Sequence, residues 1–133
     1  MNIIFHEIFQ TTRQFTNNLN TVLKDYGLYN SQWSILFTVH QHKEMTLTEI
    51  WKYLNVEAPT VTRTVTRLEQ LGWLVRHDGE DRRSKIVTLS EEGLKKYPAV
   101  EAAVIQFENS IAKGLTIEEQ QMFLSLLRKL KGR

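Results

Sequence analysis

The sequence contains no cysteine. That absence excludes a disulfide scaffold, a cysteine-ligated zinc site, a thiol nucleophile and a thiol-based redox switch together. Short patterns that mark several enzyme classes are missing too: there is no Gly-x-Ser-x-Gly elbow, no phosphate-binding glycine loop and no His-Glu-x-x-His metal pair. No apolar run approaches the roughly 18–20 residues a membrane helix needs. The start, Met1-Asn2-Ile3-Ile4-Phe5-His6-Glu7, has no basic stretch ahead of its apolar residues. The expectation is a cytoplasmic protein with no membrane partner, no enzymatic activity and no cofactor. Charge of one sign is also scarce, since 17 basic and 15 acidic residues leave a net charge of only +2.

What is present suits one folded domain spanning 1–133. Domains typically run about 100–200 residues, and a chain of 133 residues with 41% hydrophobic and 24% charged residues can bury a real core. The small net charge hides a local asymmetry. Residues 1–57 carry four basic and five acidic residues, residues 58–90 carry six and four, and residues 91–133 carry seven and six. Positive charge is therefore concentrated in the middle quarter, above all where Arg82, Arg83 and Lys85 surround Ser84.

Hydrophobic periodicity organises the chain. Ile4, Ile8, Phe15, Leu19, Val22 and Tyr26 recur at steps of three and four, which predicts an amphipathic helix over about 3–25 that ends at Gly27. Ser31 is the expected N-cap of a second helix, apolar on nearly every side from Trp33 to Val39, that stops near His42. Thr46-Leu47-Thr48-Glu49 has capping-box spacing and opens a short helix to Leu54. After the turn Asn55-Val56-Glu57, Pro59 suits a helix start, and the helix it opens runs to Leu71 and stops at Gly72. Within it Val61, Val65 and Leu68 share one face, which leaves Pro59, Thr62, Arg63, Thr66 and Arg67 facing away.

The period then changes from about 3.6 to 2. Residues 73–77 and 85–89 predict two short strands joined by a charged loop over 78–84, in preference to a two-residue turn at Asp78-Gly79 that would put three charges into the returning strand. Ser90 caps a further helix to about Ala112, with Leu94, Tyr97, Val100, Val104, Phe107 and Ile111 as its stripe and a bend expected at Pro98. Thr116 opens the last helix, striped by Phe123, Leu126, Leu127 and Leu130. The fold class is mainly α with a small β-hairpin wing, an α+β winged helix-turn-helix. Such a module suits duplex DNA, because an α-helix fits the major groove and an extended arginine fits the narrower minor groove.

Two stretches resemble the MarR family of bacterial transcription regulators. One is Pro59-Thr60-Val61-Thr62-Arg63 leading into Arg67-Leu68-Glu69-Gln70-Leu71-Gly72-Trp73-Leu74. The other, Asp81-Arg82-Arg83-Ser84-Lys85-Ile86-Val87-Thr88-Leu89-Ser90-Glu91-Glu92-Gly93, is similar to the family's wing signature. The resemblance implies a homodimer paired through residues 1–30 and 91–133, with residues 31–90 as the DNA-binding part on a pseudo-palindromic operator. It further implies that Thr60, Thr62, Arg63 and Thr66 face the major groove, with Pro59 and Arg67 beside them. In the wing, Asp81 would hold an arginine, Arg83 would enter the minor groove, and Arg82, Ser84 and Lys85 would flank it, Arg82 and Lys85 on phosphates. It implies a repressor modulated by a small aromatic anion, for which Phe9, Trp33 and Phe37 are the candidate lining. The alternatives are an activator or anti-repressor, or a protein-interaction module that keeps the fold without operator binding.

His40, His42 and Glu44 raise the question of a metal. Residues two apart on a helix diverge, so no shared metal ion is expected, and His40 should lie partly in the core. His6 reads as an interface histidine, and Trp33, Trp51 and Trp73 as core residues.

Overall fold

The computed structural model describes residues 2–81 and 84–132. Among them are α1 (Ile3–Leu23), continued by a 3-10 turn (Lys24–Tyr26), α2 (Asn30–His42), β1 (Met45–Thr46), α3 (Leu47–Leu54), α4 (Ala58–Gln70), β2 (Leu74–Asp78), β3 (Lys85–Leu89), α5 (Glu91–Ala112) and α6 (Ile117–Leu130). The helix starts follow their caps. The hydroxyls of Thr46, Ser90 and Thr116 accept from the amides of Glu49, Gly93 and Glu119, and Glu49 and Glu119 return the bond to the threonine amides. The capping amide of Thr46, and then its hydroxyl, hold the Glu49 carboxyl below its ordinary value. Ser31 is not the cap of α2. The cap is Tyr29 and the helix starts two residues earlier, where the Gln32 side chain accepts from the Tyr29 amide and Asn20 of α1 accepts from the Asn30 amide at 2.6 Å. A tertiary partner thus displaced the local signal.

The sheet has three antiparallel strands in the order β1-β3-β2. β1 was not foreseen: two residues, pairing Met45 with Val87 and Thr46 with Ile86, are too short to carry a period. β2 begins at Leu74 rather than Trp73, because the Trp73 amide closes the end of α4 on the Leu68 carbonyl at 2.9 Å. Gly72, at φ +86°, supplies the left-handed residue that this closure requires. The same spot anchors α5. The Ser90 amide and hydroxyl donate to the carbonyls of Trp73 and Gly72 at 2.9 and 2.6 Å, and a Cβ on Gly93 would lie 2.4 Å from the Trp73 oxygen.

One core joins α2, α3, α4, the sheet and the first half of α5. Leu36, Val39, Ile50, Val65, Leu68, Val87 and Val100 have no exposed surface. Trp33 and Trp73 are buried and Trp51 packs against the core from its edge. The stripe of α5 is only half interior: Tyr97, Val100 and Val104 are buried, while Leu94 and Ile111 are exposed. α5 runs as one helix through Pro98. α6 has no buried residue, and Phe123, Leu126 and Leu130 of its apolar stripe are exposed.

Tyr97 stacks between Trp33, with ring centres 5.2 Å apart, and His40, at 3.8 Å. Burial, reinforced by the nearby Glu101 carboxylate, pushes its hydroxyl up to about 12 from the ordinary 10.0. Folded Tyr97 therefore keeps its proton where the unfolded chain has released it. Its contribution to stability is complete below pH 10 and declines as pH rises toward about 12. Denaturant midpoints measured across that interval should fall more steeply for the parent than for Tyr97→Phe.

Candidate nucleic-acid interface

α3 and α4 meet through the turn 55–57, made possible by Asn55 in the left-handed region at φ 56°. Pro59 is the second residue of α4, where the lack of an amide hydrogen costs nothing. Burial of Val61, Val65 and Leu68 then fixes the rotation of α4 about its axis. Pro59, Thr62, Arg63, Thr66 and Arg67 are consequently exposed and Thr60 half-buried at the edge of the same surface.

The polar atoms of this face are engaged among themselves. Thr62 Oγ1 donates to the Ala58 carbonyl at 3.0 Å, Thr64 Oγ1 to Thr60 at 2.9 Å and Thr66 Oγ1 to Thr62 at 2.8 Å. The Arg63 guanidinium reaches Thr60 Oγ1 at 3.4 Å, and Arg67 reaches the Gln70 amide oxygen at 3.3 Å. Both are long contacts on exposed side chains, which leave the two cations available to another acceptor.

The hairpin stands beside α4. Asp78 faces Lys85 at its outer end, the two side chains forming an ion pair that holds the Asp78 carboxyl below its ordinary value. The loop beyond is closed by the Gly79 amide on the Ser84 carbonyl at 3.0 Å and the Ser84 amide on the Asp81 carbonyl at 2.8 Å. This is the longer loop, the ladder ending at the Asp78 and Lys85 pair. Arg82 and Arg83 lie outside the described residues.

The sequence reading missed Arg76. From β2 its Nε and Nη2 donate to Glu69 Oε1 of α4 at 3.1 and 2.5 Å, and Nη2 also donates to Thr66 Oγ1 at 3.2 Å. A charge-assisted pair thereby ties the wing to the outward face of α4. Arg76 is seven residues past Glu69, across a helix end, a turn and the start of a strand. No helical or strand period relates the two, so only the opposite charges hinted at the pair.

Of the three aromatics expected to line a pocket, Trp33 and Phe37 share a cleft of about 190 Å³ with Val104, Ile105, Glu101 and Glu108. Phe9 is not among its lining residues. His40 and His42 diverge: His40 lies on Tyr97, whereas His42 Nδ1 donates to the Thr38 carbonyl at 2.8 Å and its ring meets Tyr53 edge-on. Among the described residues no cluster of three histidine or acidic side chains is placed to hold a metal. No helix among them is long and apolar enough to cross a membrane.

Helix, turn, outward-facing helix and adjoining hairpin define a winged helix-turn-helix protein. The MarR family profile matches residues 28–85. An uncharacterized HTH-type transcriptional regulator of Bacillus subtilis, YwoH, is 43% identical over 125 residues, covering 94% of this chain and 91% of the relative. Accordingly, the chain belongs to the MarR family of transcriptional regulators, not to a family of enzymes. A crystal structure of overoxidized AbfR bound to DNA superposes with a TM-score of 0.78 at 30% identity, covering 98% of this chain and 92% of that one. A mutant MarR from E. coli complexed with operator DNA shares the fold, with a TM-score of 0.89 at 24% identity over 97% of this chain and 94% of that one.

The Glu69 and Arg76 side chains are 29% and 22% exposed, so solvent screens part of their attraction. A double-mutant cycle on Glu69→Ala and Arg76→Ala, read from denaturant midpoints, should give a coupling on the order of 1 kcal/mol. It should shrink as salt is raised.

Proposed function

We propose that the protein is a homodimeric transcriptional repressor that binds a pseudo-palindromic operator through α4 and the hairpin. The single observation carrying this reading is the outward face of α4, where Pro59, Thr62, Arg63, Thr66 and Arg67 are exposed together on a helix whose opposite side is sealed in the core. In this reading α4 enters the major groove, with Thr60 at its rim and Arg63 and Arg67 on base edges or phosphates. The wing, from Asp81 through Arg82, Arg83 and Ser84 to Lys85, follows the adjacent minor groove and backbone. Occupancy of the promoter by the dimer blocks polymerase.

Dimerisation is supported by apolar surface that one chain leaves uncovered. Ile3, Ile4 and Phe5 of α1 and Met122, Phe123, Leu126 and Leu130 of α6 are all exposed. Between α1, α5 and α6 lies an apolar groove of about 560 Å³, with Phe15, Leu19, Phe107, Ile111 and Phe123 on its walls. Exposure of this extent marks an interaction surface, and pairing of 1–30 and 91–133 with a second copy would leave residues 31–90 of each subunit free to reach one half-site. An effector would act by favouring a spacing of the two α4 helices that DNA cannot match. The Trp33 and Phe37 cleft suits an aromatic compound, but Glu101 and Glu108 on its wall oppose an anion. With no cysteine in the chain, thiol oxidation is not an available signal.

Selection of bound duplexes from random DNA tests the reading. It should recover a site with two inverted half-sites about 10 base pairs apart. Affinity should fall linearly with salt on logarithmic axes, with a slope near −0.9 per neutralised phosphate. Arg63→Ala should relax preference at one position at a cost of about 1–3 kcal/mol, whereas Arg82→Ala should weaken all duplexes alike. Sedimentation should show a dimer at micromolar concentration, converted toward monomer by Phe123→Glu. A monomeric parent, or one indifferent to duplex sequence, leaves only an interaction module on this fold.

A further inference from the structure

Threonine has two groups to offer a major groove, a hydroxyl and a methyl, and they read different partners. Resting on the reading of α4 as the recognition helix, we infer that Thr66 recognises DNA through its γ-methyl group, against the 5-methyl of a thymine, and that Arg76 is the positioning residue that enforces this choice. The proton of the Thr66 hydroxyl and one of its two acceptor positions are already engaged. Its proton goes to the Thr62 carbonyl at 2.8 Å, and its oxygen accepts from Arg76 Nη2 at 3.2 Å. No hydroxyl proton is left for guanine N7 or O6, or for thymine O4.

Arg76 cannot readily release that oxygen. Its Nε and Nη2 are both held by Glu69 Oε1, and the pair is partly buried, with exposures of 22% and 29%. A planar guanidinium fixed in this way has one orientation. Thr62 lies one turn away on the same face, and its proton is committed to the Ala58 carbonyl. Among the described residues its hydroxyl has no tether like the one Arg76 gives Thr66. The γ-methyl is then the part of the exposed Thr66 side chain left to meet a base, and hydrocarbon in the major groove pairs with the thymine methyl.

The test uses the full-length protein and the duplex selected from random DNA, made once with thymine and once with deoxyuridine in each half-site. Losing one buried methyl contact weakens binding about fourfold, and the dimer loses one in each half-site, so the parent should bind the uracil duplex about sixteenfold less tightly. Thr66→Val keeps the methyl and should match the parent within twofold on both duplexes. Thr66→Ser keeps the hydroxyl, and it should bind the thymine duplex about sixteenfold more weakly and no longer distinguish the two. Arg76→Gln removes the tether on the Thr66 oxygen, lets the side chain turn about its Cα–Cβ bond and should reduce the uracil penalty, which a loss of fold stability would not do. Circular dichroism confirms that each variant is folded. The opposite pattern, with Thr66→Ser like the parent and Thr66→Val impaired, overturns the inference, as does a parent that ignores the missing methyl or a selected half-site without thymine. Those results leave the operator-binding reading standing. A parent that prefers no duplex overturns both.

Discussion

The burial of three side chains on one face of α4 is the constraint on which the rest depends. Val61, Val65 and Leu68 are sealed against the core, and a helix sealed on one side has no freedom to rotate. The positions between them are thereby aimed outward. α4 rests on both α2 and the sheet, so a polar residue at the buried Val65 would loosen the helix from its support. The outward face would then lose its aim.

A second constraint joins the wing to that helix. The end of α4, the start of β2 and the start of α5 converge at Gly72, Trp73, Ser90 and Gly93, where backbone carbonyls, a serine hydroxyl and a missing side chain fit together. Further out, Arg76 clamps β2 to Glu69 and Thr66. The hairpin and the helix are thereby joined at their base, while Gly79, Asp81 and Ser84 beyond the Asp78 and Lys85 pair are held by local loop bonds. In the proposed reading this junction sets the angle between the two surfaces offered to a duplex, as simultaneous contact with neighbouring grooves requires.

The two ends of the chain obey a different logic. α1, the second half of α5 and α6 carry regular apolar stripes, yet much of that surface faces outward in a single chain. Regular stripes on long helices are the pattern of helix packing between subunits as much as within one. The proposed dimer covers the surface and sets the distance between the two α4 helices. An effector acting on the helical part would thus reach the DNA-binding part without touching it.

The sequence alone determined the helices, the caps of α3, α5 and α6, the inward row of α4 and the outward row beside it, because each rests on contacts within a few residues and on a period the chain repeats. The threonine caps at Thr46 and Thr116 needed nothing from elsewhere. The tertiary structure decided what depends on distant partners. Asn20 moved the start of α2 to Asn30, Val87 turned Met45 into a strand residue, and Arg76 took the hydroxyl of Thr66. It also turned half of the α5 stripe and the apolar side of α6 outward. Each of these outcomes depends on a contact, or the lack of one, between residues far apart along the chain, and a local pattern carries no trace of a partner that only folding brings near.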